Sequence, residues 1–240
     1  MTPEPRMPTA DDPPRREPRE RGYLPALRFR ALTPLFDLVV RGTTRERTFK
    51  DALIEQAGLR EGMSVLDLGS GTGTLAIMAA RRTGCDVVGI DADPEILEIA
   101  RRKADAAGVE VRFDEGLATE LPYEDDSFDR ILSTLFFHHL VSADKRATLR
   151  EVARVLRPGG ELHIADWTSP ADPLQTILSW QIRLFDGFER TRENLAGGLP
   201  RLLAESGLRD VYERRRLRTV FGTIGLMEAT LPPVPTLTPT

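Results

Sequence analysis

The 240 residues carry 33 Lys and Arg against 37 Asp and Glu, a formal charge of −4, with 40% hydrophobic content, which suits one domain with a large buried core. That balance gives no basic stripe of the kind nucleic-acid binding needs. The single cysteine, Cys85, excludes a disulfide framework, a C-x-x-C redox pair and a thiol zinc cluster, and fits a reducing cytoplasm.

Residues 1–22 are crowded with proline, arginine and acids and lack the apolar stretch of a secretory signal, so they read as a disordered arm ahead of a single domain over 23–230. Residues 23–41 and 44–57 both carry helical periodicity, with Leu27, Leu32, Leu35, Phe36, Leu38 and Val39 apolar in the first and Pro34 set to kink or divide it. From there strands and helices alternate. Strands are expected at 64–68, 86–91, 110–113, 128–134 and 161–166, and helices at 74–82, 94–107 and 145–156. This alternation predicts an α/β fold with a doubly wound, mostly parallel sheet covered on both faces. Pro94 stands at a helix N1 position after a potential Asp93 cap, and Gly108 closes that helix. Beyond Asp166 come helical stretches at 174–188 and 192–206, then extended runs at 210–217 and 219–228. The proline-rich residues 231–240 read as a frayed tail. No uncharged apolar run approaches the roughly 18 residues of a membrane span.

The most informative stretch is residues 65–73, Val-Leu-Asp-Leu-Gly-Ser-Gly-Thr-Gly, followed 18 residues after Gly73 by Asp91 at the end of Val-Val-Gly-Ile-Asp. An apolar run of a buried strand leads into three glycines at alternate positions, which let the chain turn tightly and let a ligand lie against the backbone. The helix that follows opens with unpaired N–H groups and a positive dipole end. Asp91 is placed to accept hydrogen bonds from both ribose hydroxyls. The dinucleotide fingerprint requires G-x-G-x-x-G, but Gly69, Gly71 and Gly73 give G-x-G-x-G, with Thr74 where the third glycine would fall. Asp67, two residues before the first glycine, would repel a pyrophosphate and could bind an ammonium. S-adenosylmethionine carries an amino-acid ammonium and no phosphate.

At this point the chain resembles the class I S-adenosylmethionine-dependent methyltransferases of the ubiquinone/menaquinone-biosynthesis type. The resemblance runs through about residues 45–225 and rests on VLDLGSGTG, VVGIDADPEIL, LPYEDDSFDRILS and RVLRPGGELHIAD. It implies a Rossmann-like sheet of seven strands with the last strand antiparallel. It also implies an N-terminal helical cover (23–60) and a variable, substrate-side helical insertion (167–198). By the same resemblance Asp67, Gly69, Ser70, Gly71, Thr72 and Gly73 hold the amino-acid half of the cofactor, and Asp91 and Ala92 the ribose and an adenine edge. Gly116, Leu117 and Ala118 fall where relatives usually carry Gly-Asp-Ala, so only backbone groups of Leu117 and Ala118 remain to read adenine. Ser133, Thr134 and Leu135 end the fourth strand, with backbone facing the methionine part, and Tyr23 folds over the donor or belongs to the core.

Methyl transfer from a sulfonium is an in-line displacement that gains most from positioning; only a protonated acceptor needs a base. His138 and His139 are the candidate bases, with the alternative that they orient the following helix. Asp166, beside Trp167, either faces the acceptor or caps the next helix. His163, inside its strand, reads as structural. Trp180, Phe185 and Phe188 line an apolar acceptor pocket or simply pack. No metal is expected, because the adjacent His138 and His139 cannot present both rings to one side of a strand. Expected partners are a small-molecule acceptor (quinone-like, lipid head group or specialised metabolite, methylated on O, N or C) and no nucleic acid. Arg28, Arg30 and Arg41 would allow contact with an anionic membrane surface. The resemblance implies a monomer or homodimer. Two other functions compete: an S-adenosylmethionine-binding protein that does not methylate or catalyses a different reaction, and a nucleotide-dependent dehydrogenase, which Thr74 and Asp67 disfavour.

Overall fold

The computed structural model describes residues 46–186 and 188–233. Helix α1 (Glu46–Ala57) buries Phe49, Leu53 and Ile54 on one face. Strand β1 (Ser64–Leu68) follows, with Val65, Leu66, Asp67 and Leu68 all buried, so both of its faces are covered. Then come α2 (Thr74–Thr83), β2 (Asp86–Asp91), α3 (Pro94–Ala107), β3 (Arg112–Glu115) and β4 (Phe128–Thr134), a short 3-10 turn at Phe137–His139, α4 (Ser142–Val155) and β5 (Leu156–Trp167). Three helices, α5 (Pro173–Asp186), α6 (Phe188–Leu195) and α7 (Leu199–Glu205), precede a closing hairpin of β6 (Arg209–Arg218) and β7 (Thr223–Thr230).

The seven strands lie in the order β3-β2-β1-β4-β5-β7-β6. β1 to β5 are parallel, and β7 runs antiparallel to both β5 and β6. Because successive strand residues point to opposite faces, the sheet feeds two cores. Val65, Leu132 and Ala165 pack under α1, α2 and α3 with Phe49, Leu75 and Leu97. Their neighbours Leu66, Ile131 and Ile164 pack under α4 and α7 with Leu149, Val152 and Leu202. The strand order reverses between β1 and β4, which places the switch-point crevice beyond the carboxyl end of β1.

Local signals explain most boundaries. Asp93 caps α3 by accepting from the backbone of Glu95 and Ile96, and Gly108, left-handed at φ 61°, closes it. β3 begins at Arg112 rather than at residue 110, because Val109 N–H still bonds to Ala104 O in the closing turn of α3. α4 starts at Ser142, three residues before the expected 145. The helical stretch expected at 192–206 is two helices: Gly197 takes φ 71°, and Gly198 N–H bonds back to Glu193 O. Residues 219–222 form the hairpin turn rather than strand, with Thr219 Oγ1 bonded to Gly222 O. Leu231, expected to begin a frayed tail, is tied down: it accepts from Gly159 N–H and donates to Gly160 O. Tyr23 and the predicted helix at 23–41, with its arginines, lie outside the described residues.

Candidate active site

The loop after β1 is built almost wholly from backbone hydrogen bonds. Gly69 and Ser70 N–H both donate to Ile90 O at 3.0 and 2.9 Å, stapling the loop to the end of β2, and Gly73 N–H donates to Ser70 O at 2.9 Å. Gly69 and Gly73 are left-handed at φ 71° and 69°. A side chain at Gly69 would collide with the Phe136 ring, and a Cβ at Gly73 would stand 2.6 Å from Phe113. Gly71 differs: its φ is also positive, but a Cβ there would meet nothing within 4 Å, so this glycine borders open space. Lys103, from α3, clasps the loop by donating to Thr72 O at 2.7 Å and to the hydroxyls of Thr72 and Thr74 at 3.0 and 2.7 Å.

Two carboxylates flank this loop. Asp91 accepts Gly71 N–H on Oδ2 at 2.8 Å and Asp93 N–H on Oδ1 at 3.1 Å. A carboxylate offers about four lone-pair positions, so each oxygen retains capacity for one more donor. Burial raises the Asp91 carboxyl above its ordinary range, against the pull of those N–H groups. Asp67 is 1% exposed, with Oδ2 accepting Ala76 N–H at 3.0 Å and Oδ1 without a partner. Burial pushes its carboxyl up to about 7, opposed by the Lys50 ammonium and Ala76 N–H and reinforced by Asp91. Ser70 Oγ is likewise buried and unpaired.

The neighbouring strand ends complete the crevice. Ala92 is partly buried beside Asp91. Gly116 N–H donates to Asp91 O at 3.0 Å, Leu117 is 42% exposed, and Ala118 packs on the second core. Ser133 is fully buried, its hydroxyl donating to Leu68 O at 2.9 Å. Thr134 ends β4, and Leu135 adopts φ 51°, a left-handed conformation uncommon for leucine, with its N–H donating to Ala165 O.

Asp166 sits apart from open space. It is fully buried; Oδ2 accepts Phe136 and His138 N–H, and Oδ1 accepts Trp167 N–H at 2.7 Å. His138 Nδ1 lies 2.7 Å from the same Oδ1. Burial pushes the Asp166 carboxyl up, but the His138 imidazole and the backbone donors outweigh it and hold the group below the usual range. Asp166 therefore caps the turn before α4, not the helix after β5, and anchors His138 on it. Burial first, then the charge of His138, lowers the His139 imidazole to about 3, so it is neutral at physiological pH. His163 is buried beneath α1, bonded to Glu161 and Gln56. Trp180 is 52% exposed, and the side chains of Phe185 and Phe188 lie outside the described ones. Among the described residues no group of three or more His, Cys, Asp or Glu stands close enough to hold a metal.

A family described as "Methyltransferase domain" matches residues 65–160. Demethylmenaquinone methyltransferase from Deinococcus radiodurans is 34% identical over 171 residues, 70% of this chain and 70% of that protein. The chain belongs to the class I S-adenosylmethionine-dependent methyltransferases, ubiquinone/menaquinone type. Demethylmenaquinone methyltransferase from Thermus thermophilus is 40% identical over 149 residues, covering 59% of this chain and 65% of that protein, slightly less than two thirds of its length. The solved YcgJ protein from Bacillus subtilis shares the fold, with TM-score 0.61 and 23% identity over 76% of this chain and 97% of that one. As in this methyltransferase family, S-adenosylmethionine is the cofactor, and the residues present fit it. An orphaned buried carboxylate oxygen on Asp67 matches an ammonium, the open side of Gly71 admits a ligand against the backbone, and Asp91 has lone pairs to spare for two hydroxyls. Sequence reasoning missed Lys50, Lys103 and Phe136, each of which reaches the site from another element with no local motif to announce it.

Proposed function

We propose that this protein transfers a methyl group to a small, apolar, oxygen-bearing ring compound of the quinone type, working in the cytoplasm. The unpartnered Oδ1 of buried Asp67 carries the donor half of this reading, because a buried carboxyl pushed up to about 7 is matched by the ammonium of an amino-acid cofactor. The bound cofactor supplies an electrophilic sulfonium methyl. Asp67 holds the ammonium, the open face of Gly71 admits the chain of the ligand, and Asp91 accepts the ribose hydroxyls. Ala92 with the backbone of Gly116, Leu117 and Ala118 takes the adenine, while Thr134 and Leu135 back the methionine part.

His138, His139 and Asp166 support the chemistry by positioning more than by proton transfer. An imidazole at about 3 is a weak base, and His138 is committed to Asp166. The acceptor therefore brings its own nucleophilicity, as an electron-rich ring carbon or an ionised oxygen does. Demethylmenaquinone as the named substrate of two relatives supports the ring-compound choice. Among the described residues no helix is long and apolar enough to cross a membrane.

The test is transfer of labelled methyl from S-adenosylmethionine into a cell extract split into lipid-soluble, aqueous and protein fractions, with Asp91→Ala protein as control. Label in the lipid-soluble fraction that vanishes with the variant is the expected result. Label confined to protein would overturn the acceptor class, and S-adenosylhomocysteine binding with no label anywhere would favour a non-methylating role.

A further inference from the structure

Among the described residues, the buried side-chain atoms that lack a hydrogen-bond partner fall into few places. Asp67 Oδ1 and Ser70 Oγ belong to the end of β1 and the glycine loop, and Glu213 Oε1 stands alone on β6. All the others lie on α4 and α6: Thr148 Oγ1, Glu193 Oε2 and both amide atoms of Asn194. Asn194 is 1% exposed, so water does not satisfy its amide, and such a group is expensive to keep unless something pairs with it. Beside the glycine loop the same signature, a sealed polar atom with no protein partner, falls on Asp67 Oδ1, the atom that the proposed function assigns to the cofactor's ammonium.

The surroundings of Asn194 are those of an acceptor. Arg190, Thr191 and Asn194 share a helix face, and α6 packs against both the Phe137–His139 turn and β5. That sets α6 beside the turn that follows the carboxyl end of β4, the end of the sheet where the glycine loop also lies, and Asn194 is one of the side chains α6 buries. Next to it, fully buried Lys145 donates to Arg190 O at 2.8 Å and stands 3.6 Å from Glu193 Oε2. Arg146 Nη1 stands 3.9 Å from the other oxygen of Glu193, so the charged groups nearest Asn194 in the chain are already engaged with one another. An amide has a donor and an acceptor and no charge, so it matches an uncharged ring oxygen as hydroxyl or as carbonyl.

We propose that Asn194 is an acceptor-binding residue that hydrogen-bonds an uncharged hydroxyl or carbonyl oxygen on the ring to be methylated. The inference rests on the methyltransferase reading and adds to it the chemistry of one acceptor contact.

The experiment measures 1,4-dihydroxynaphthalene, kept reduced, binding by calorimetry to the full-length protein saturated with S-adenosylhomocysteine, for wild type, Asn194→Leu and Asn194→Ser. Wild type binds the probe, and Asn194→Leu weakens it at least tenfold with S-adenosylhomocysteine affinity within twofold of wild type. Asn194→Ser, which keeps a hydroxyl, falls between. Ligand-free Asn194→Leu melts no lower than wild type, because removing an unpaired buried amide relieves the fold rather than weakening it. Three results overturn the inference: no probe binding by the wild-type complex, equal binding by Asn194→Leu, or a loss of probe binding that tracks a loss of cofactor affinity and a lower melting temperature. Failure of wild type to bind S-adenosylhomocysteine at all is a separate outcome that removes the methyltransferase reading itself.

Discussion

The two halves of the crevice are built by different means. On the glycine-loop side, the loop is held by backbone N–H groups donating to Ile90, Ser70 and Asp91, and by the Lys103 clasp. On the α4–α6 side, contacts run through side chains from distant elements, and buried atoms of Thr148 and Asn194 stay unpaired. A site wired through the backbone is rigid before its ligand arrives, and suits a cofactor that never changes. A site finished by side chains is open to variation in the acceptor.

Substitutions can break this contrast. Asp166→Ala removes one partner of a buried pair along with the cap of the 136–138 backbone, and should cost about 3–5 kcal/mol of folding stability. Denaturant melts check this, and cofactor affinity measured well below the melting point should change far less. Asp67→Ala should do the reverse, costing about 3 kcal/mol of S-adenosylhomocysteine affinity with little loss of stability, because the carboxyl is already disfavoured by burial. Asp91→Ala should cost about 1–3 kcal/mol of affinity by leaving ribose hydroxyls unpaired; an unchanged isotherm would remove Asp91 from the site.

Acidity sharpens the same comparison. In the free protein Asp67 titrates at about 7, raised from 3.8. Its protonation therefore contributes stability that is fully present below pH 3.8 and lost as pH rises through 7. Cofactor binding requires the carboxylate, so affinity should climb about tenfold per pH unit, or about 1.4 kcal/mol, up to pH 7 and level off there. Asp67→Asn should flatten that slope; a wild-type profile already flat between pH 5 and 7 would refute the assignment. The smallest expected effect is Lys103→Met, about 1 kcal/mol of cofactor affinity through a looser loop, read by calorimetry.

The legibility of the sequence divides along the same line. The order of strands, the glycine turn and Asp91 rest on local signals: an apolar run, glycines at alternate positions, and an acid at the end of the next run. Asp93 and Gly108 mark the ends of α3 in the same local way. What stayed hidden is long-range. His138 and Asp166 are 28 residues apart, and Lys103 and Thr72 are 31 apart. No spacing rule links such pairs, so Asp166 reads equally well as an acceptor-facing carboxylate until the fold buries it. The two-residue shift of β3 and the break at Gly197 come from the closing turns of helices, whose reach into the next segment is a matter of backbone geometry and not of side-chain pattern.

The ten-residue strand β6 closes the sheet on one side and is longer than its opposite border, β3, by six residues. Its pairing with β7 slips twice, between Arg209 and Tyr212 and between Glu213 and Arg215. Arg214 and Arg216 on it are engaged with Glu228 and Glu213. A long bare border would invite a second copy to add its own strand and start a fibre. The slips bend this one out of register and its charged side chains crowd the edge, two features that disfavour strand-by-strand addition at this border.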